Sequence, residues 1–368
     1  MPSQLDHISA QLDRLATFEP GPFPVVSLFL NMQPDQHGRD HFEPFLRKEL
    51  ADRVRTYVAG APERESLAHD AERIREYVTT VDASANGLAL FACGGANLFE
   101  AVQLAAPIET HRLFISDRPH LYPLARLVDE YPRYAVLLAD THSARIFVCA
   151  GNLLEETERI EGIKTKHHKM GGWSQARFQR HTENYHLQHA KEVVEALARI
   201  VRDESIGSVF IAGDEAILPL LREHLPKDVA ERVVNLDKLD VKAAEREVLN
   251  TTIAALREKD AEDDRERTEA LMGAYRANGL ACVGVDDTRL ALEMGQVDEL
   301  LITASPKAID AAGVESTPPA KGDRTIDERT ADELVVKARQ TSAKIRFVED
   351  PSLLAAVGGV GAFLRFKV

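Results

Sequence analysis

The chain has 368 residues, 44% hydrophobic and 28% charged, proportions that build packed cores and exclude a disordered chain; the length predicts two or three domains. A net charge of −14 excludes a general coat for nucleic acid, so any contact with RNA has to be local and guided by shape. Cys93, Cys149 and Cys282 stand far apart without a CxxC pair, which argues against a thiolate metal site and suits a reducing cytosol.

The opening Met1-Pro2-Ser3-Gln4 has no basic stretch followed by an apolar one, and no run of roughly eighteen apolar residues occurs, so a cytoplasmic protein without membrane contact is expected. Leu5, Ile8, Leu12 and Leu15 predict a short amphipathic helix, broken at Pro20-Gly21-Pro22, and residues 25–30 read as a buried strand. Two helices are predicted over 41–80, separated near Gly60-Ala61-Pro62. A strand over 86–93, a turn at Gly94-Gly95-Ala96-Asn97 and a returning strand to Leu104 follow. Residues 134–140 and 144–151 predict a hairpin joined by Thr141-His142-Ser143. Beyond it Ala190, Val193, Val194, Leu197, Ile200 and Val201 mark one face of a long helix. A strand over 208–214, a helix over 215–224 and a short strand over 232–236 complete a second α/β domain. Residues 241–276 read as a charged helix. In the last part Asp287 or Thr288 can cap a helix that Gly295 ends, residues 299–303 form a strand, 316–323 form an insertion, and Gly358-Gly359 bends a core strand.

The hairpin and the long helix enclose the stretch around which the chain is organised, residues 164–181. Gly171-Gly172, free in φ, stand between the lead-in Lys164, Lys166, His167, His168, Lys169 and a Trp173-Ser174-Gln175 run that opens the helix. From Glu161 to Ala190 there are five Lys/Arg against two acids, and five of the thirteen histidines. Trp173, on a loop, can stack on a base, and Arg177 and Arg180 can grip phosphates from one helix face, with His181 beside them. The plainer alternative makes Gly171-Gly172 a turn and Ser174 a helix cap. His181, His186 and His189 invite a zinc reading, but no Glu or Cys completes a ligand set, and no metal or other cofactor is expected. Asp140 and Asp214 end apolar strands; they are either helix and turn caps or the paired carboxylates of a Mg²⁺ nuclease.

Three stretches, in order, resemble the archaeo-eukaryotic class-one release factor and Pelota superfamily, specifically its bacterial branch. Residues 171–178 are similar to the family's Gly-Gly-Gln loop and the Ser-x-x-Arg-Phe after it, residues 282–295 to its third-domain signature, and residues 358–366 to its Gly-rich end. The resemblance implies an α/β (α+β) protein of three domains: an N-terminal α/β domain over 1–130 on the decoding side, a middle RNase H-like domain over 131–238, and an L7Ae-like C-terminal domain over 239–368. It also implies a monomer that enters the ribosomal A site, meets rRNA and peptidyl-tRNA through the middle loop, and takes a translational GTPase of the elongation factor Tu type as partner. Gly171, Gly172 and Gln175 then become the catalytic set for peptidyl-tRNA hydrolysis. Two departures stand out. The Asn-Ile-Lys-Ser decoding motif is missing between the first-domain helices, and Trp173 occupies the family's glutamine position, with Gln175 two places later. Either Gln175 reaches the ester through a bulged loop and the protein is a release or rescue factor, or the chain is a non-catalytic hibernation factor; a metal-dependent nuclease is the third possibility.

Overall fold

The computed structural model describes residues 4–34, 41–82, 85–104, 106–150, 153–161, 174–236, 239–310 and 324–367. Its strands form three sheets, and the chain divides into two compact units: residues 132–259, and residues 4–131 together with 260–368.

Residues 4–131 contain α1 (Gln4–Ala16), β1 (Val25–Asn31), α2 (Phe42–Thr56), α3 (Pro62–Val78), β2 (Gly87–Cys93), β3 (Leu98–Leu104), β4 (Arg112–Ser116) and α4 (Tyr122–Glu130). The sheet runs β3-β2-β1-β4 with every neighbour antiparallel. Successive side chains of a strand face opposite ways, so Val26, Leu28 and Leu30 pack under α2 and α3 while Phe29 joins Phe91 and Phe114 on the other face. Both faces are covered, which is why β1 and β2 read as unbroken apolar runs. Pro62 opens α3, where a missing N–H costs nothing.

The middle unit follows with β5 (Tyr134–Ala139), β6 (Ser143–Ala150), β7 (Leu153–Glu161), α5 (Ser174–Asp203), β8 (Ser208–Gly213), α6 (Leu218–His224), α7 (Lys227–Ala230), β9 (Val233–Asn235) and the first half of α8 (Glu245–Arg276). The order is β7-β6-β5-β8-β9, with β6 alone running against the rest, the arrangement expected of an RNase H-like sheet. Ala135, Leu137 and Ala139 meet Val193 and Leu197 of α5 and Leu221 of α6. Tyr134, Val136 and Leu138 meet Phe210 and, on α8, Val248 and Leu256. The expected hairpin gains a third strand, β7. Its four glutamates disguise it, yet charge suits a strand at the edge of a sheet.

The last segment holds β10 (Ala281–Val283), α9 (Val285–Glu293), β11 (Val297–Thr303), α10 (Ile326–Gln340), β12 (Lys344–Val348) and β13 (Val360–Leu364), in the sheet order β10-β13-β11-β12. Helix α9 starts directly after Gly284, whose φ of 89° suits glycine, so Asp287 and Thr288 fall inside its first turn rather than at the cap. Gly295 does end it, with φ 65°. Gly358 and Gly359 form a left-handed turn ahead of β13 rather than a bend within it, and a Cβ on Gly359 would come 2.5 Å from the Ala308 carbonyl oxygen.

Within this second unit one apolar core joins the two segments. Leu12 and Leu15 of α1 and Leu124 of α4 belong to the same cluster as Leu292, Ile302, Leu334 and Phe347. At its heart lies Asp332 of α10, 4% exposed. Its Oδ1 accepts from the Leu121 and Tyr122 N–H groups at 2.7 and 2.9 Å, anchoring the start of α4, and Nδ1 of His120 lies 3.1 Å away. Arg324 pairs with Oδ2 and also donates to Ser116 Oγ. Burial works to raise the Asp332 carboxyl, but His120, Arg324 and the N–H donors outweigh it and hold it below the ordinary aspartate value.

Candidate functional site

The site is framed by β7 and α5. Strand β7 ends at Glu161, opposite Ser143, and α5 begins at Ser174. Lys164, Lys166, His167, His168, Lys169, Gly171, Gly172 and Trp173 lie outside the described residues, as do the side chains of Ser174, Gln175, Arg177, Arg180 and His181. The backbone of the latter five is described, and it is helical. Ser174 is therefore the first helical residue, and Gln175 sits in the first turn of α5. Arg177 and Arg180, three apart in that helix, share a face. The far half of this 30-residue helix is fixed by buried Ala190, Val193, Leu197 and Val201.

The structure brings together groups that sequence spacing kept apart. On α5, His186 lies with its ring centroid 6.0 Å from that of His142 in the β5–β6 turn, in an edge-to-face arrangement. Burial pushes the His186 imidazole below its ordinary value, His142 and His189 add to the depression, and Asp214 opposes it. His189, 4% exposed, has neither ring nitrogen hydrogen-bonded among the described residues. The contact with His142 was not foreseen; the only signal was a histidine in the hairpin turn.

Asp140 and Asp214 both serve as caps. Asp140 Oδ1 accepts from the His142 and Ser143 N–H groups, each at 2.7 Å, and Asp214 Oδ1 accepts from Ile217 N at 2.8 Å and Ala216 N at 3.2 Å. Among the described residues no group of three or more His, Cys, Asp or Glu is placed to hold a metal ion. Beside the end of β7, Ser143, Arg145, Arg159 and Lys242 line a groove with Glu161 and Glu245. Arg145 is held there by donating to the Val241 and Ala243 carbonyls at 3.2 and 2.8 Å, while its guanidinium lies 4.7 Å from the Phe147 ring centroid. Neither this groove nor its arginines figured among the expected RNA contacts. No helix among the described residues is long and apolar enough to cross a membrane.

Comparison with known proteins places these features in a lineage. Residues 119–257 match bacterial archaeo-eukaryotic release factor family 10, and residues 264–368 match eRF1 domain 3. An uncharacterized protein of Mycobacterium tuberculosis (strain H37Rv) is 28% identical over 362 residues, 93% of each chain. Peptide chain release factor subunit 1 of Archaeoglobus fulgidus is 23% identical over 306 residues, 74% of each chain. Among solved structures, the chain in a model of ribosome-bound archaeal Pelota and ABCE1 is 16% identical, with 100% of this chain and 96% of that one covered and a TM-score of 0.45. The first match spans the sheet that carries the glycine-pair segment and the second spans the signature around α9, so the chain belongs to the bacterial branch of the archaeo-eukaryotic class-one release factor and Pelota superfamily.

Proposed function

We propose that this protein acts at the ribosomal A site as a release or rescue factor, with residues 164–181 meeting rRNA and peptidyl-tRNA. The observation that carries the reading is a basic glycine-pair segment mounted between β7 and a 30-residue helix, in the part of the chain matched by the bacterial release factor family. Hydrolysis of peptidyl-tRNA needs a water aimed at the ester carbonyl and a donor for the charge that develops on oxygen. Gln175 supplies an amide at the start of α5; Gly171 and Gly172 allow close approach to RNA; the lead-in cations and Arg177 and Arg180 meet phosphates. In this reading the protein is a monomer with three domains divided near residues 130 and 238, the last of them L7Ae-like, and a translational GTPase of the elongation factor Tu type delivers it.

A second reading, passive occupation of idle ribosomes as a hibernation factor, is favoured by two features: Gln175 lies in the first turn of a helix, and Trp173 stands at the family's glutamine position. The two are separated by pelleting the protein with ribosomes and measuring labelled peptide freed from a stalled complex. Release by the parent chain that falls about 100-fold in Gln175→Ala, with pelleting unchanged, supports the catalytic reading. Pelleting without release supports occupation, and a protein that neither pellets nor releases peptide overturns both.

A further inference from the structure

Two imidazoles from different elements meet edge to face where helix α5 crosses the carboxyl ends of β5 and β8, and a third lies buried one turn along the helix. His142 comes from the β5–β6 turn, His186 and His189 from α5, and the Asp214 carboxylate from the end of β8. The carboxylates around them are already committed: Asp140 to the N–H groups of His142 and Ser143, Asp214 to those of Ala216 and Ile217. His189 is 4% exposed and neither of its ring nitrogens has a hydrogen-bond partner among the described residues.

We propose that His186, packed edge to face against His142 and one turn before buried His189, is a proton-sensitive latch that fastens α5 to the carboxyl ends of β5 and β8 while neutral and loosens it when protonated. Among the described residues, the charged and titratable groups acting on His186 are His142 from the turn, His189 from its own helix and Asp214 from the end of β8. Two of these three repel a proton on His186 and one attracts it; burial sides with the two. The sign follows. The folded chain binds a proton at His186 less readily than the unfolded chain, so the helix is held fully above the ordinary histidine value of 6.5 and loses hold as pH falls through the lower folded value. The latch works whether or not the protein acts on ribosomes.

The test is backbone hydrogen exchange of residues 182–190 in the full chain at pH 7.5 and pH 5.5, corrected for intrinsic exchange. Protection in the parent should fall about threefold or more at the lower pH, and the fall should be abolished in the His142→Gln, His186→Gln double variant. Equal protection at both pH values in the parent overturns the latch, as does an undiminished fall in the double variant. Should the double variant not fold, His142→Gln alone decides, because His142 is exposed on a turn and its loss leaves the helix intact. An unchanged fall in that single variant counts against the proposal.

Discussion

Asp332 shows how much one residue can hold. Its carboxylate meets two backbone N–H groups of α4, a histidine and an arginine, all in a site nearly closed to water. Asp332→Ala would leave Arg324 without its buried counter-charge and α4 without its anchor. We expect a loss of about 3–5 kcal/mol in thermal or urea unfolding. The pH dependence has a definite sign. Because the folded carboxyl lies below its unfolded value of 3.8, its contribution is complete above that value and disappears as pH falls through the folded one. Acid unfolding of Asp332→Asn should accordingly be shallower than that of the parent below pH 3.8. This constellation was illegible in the sequence, where Ser116, His120, Arg324 and Asp332 are scattered and each looks like an ordinary surface residue. The same holds for His142 and His186. By contrast, glycines 171 and 172 and the cations before them stand next to one another, and adjacency needs no fold to be seen.

Elements were legible where a local period carried them. The break between α2 and α3 follows from Gly60-Ala61-Pro62, and β1, β2, β5 and β8 from apolar runs covered on both faces. Strand β7 was not, because its edge position allows glutamate at most sites. Strand β4 and helix α4 were not, because both are short and depend on distant partners, β1 for the strand and α10 for the helix. Helix α10 has a strong start signal. Thr325 Oγ1 accepts from Glu328 N at 3.2 Å, and Glu328 Oε2 accepts from Thr325 N at 2.9 Å. Since α10 carries Asp332 into the core, its cap matters beyond the helix itself. Thr325→Ala should lower stability by about 1 kcal/mol, read as a drop of roughly 2–4 °C in Tm.

At the scale of the molecule, length anticipates more than one folding unit, but the sharing of one core by the first and last segments could not be read from it. Local periodicity says which face of α1 or α4 is apolar and nothing about what covers it. Tyr122 of α4 meets Phe347 of β12 with ring centroids 5.2 Å apart, and its hydroxyl donates to the Thr303 carbonyl at 2.7 Å. The two segments should therefore unfold together. Leu334→Ala, on α10, is expected to cost about 2–5 kcal/mol and to speed hydrogen exchange in β1 and β2 as well as in β11; an effect confined to β11 would show that the segments melt separately.

That shared core sets a timetable for a nascent chain. Helices α1 and α4 emerge early, but the helix and strand that shield them, α10 and β12, come off the ribosome nearly last. At about 5–20 residues per second, the wait is on the order of tens of seconds. Until then Leu12, Leu15 and Tyr122 offer a sticky surface, and a message cut short after the middle unit would yield a fragment that cannot cover it and is prone to aggregate.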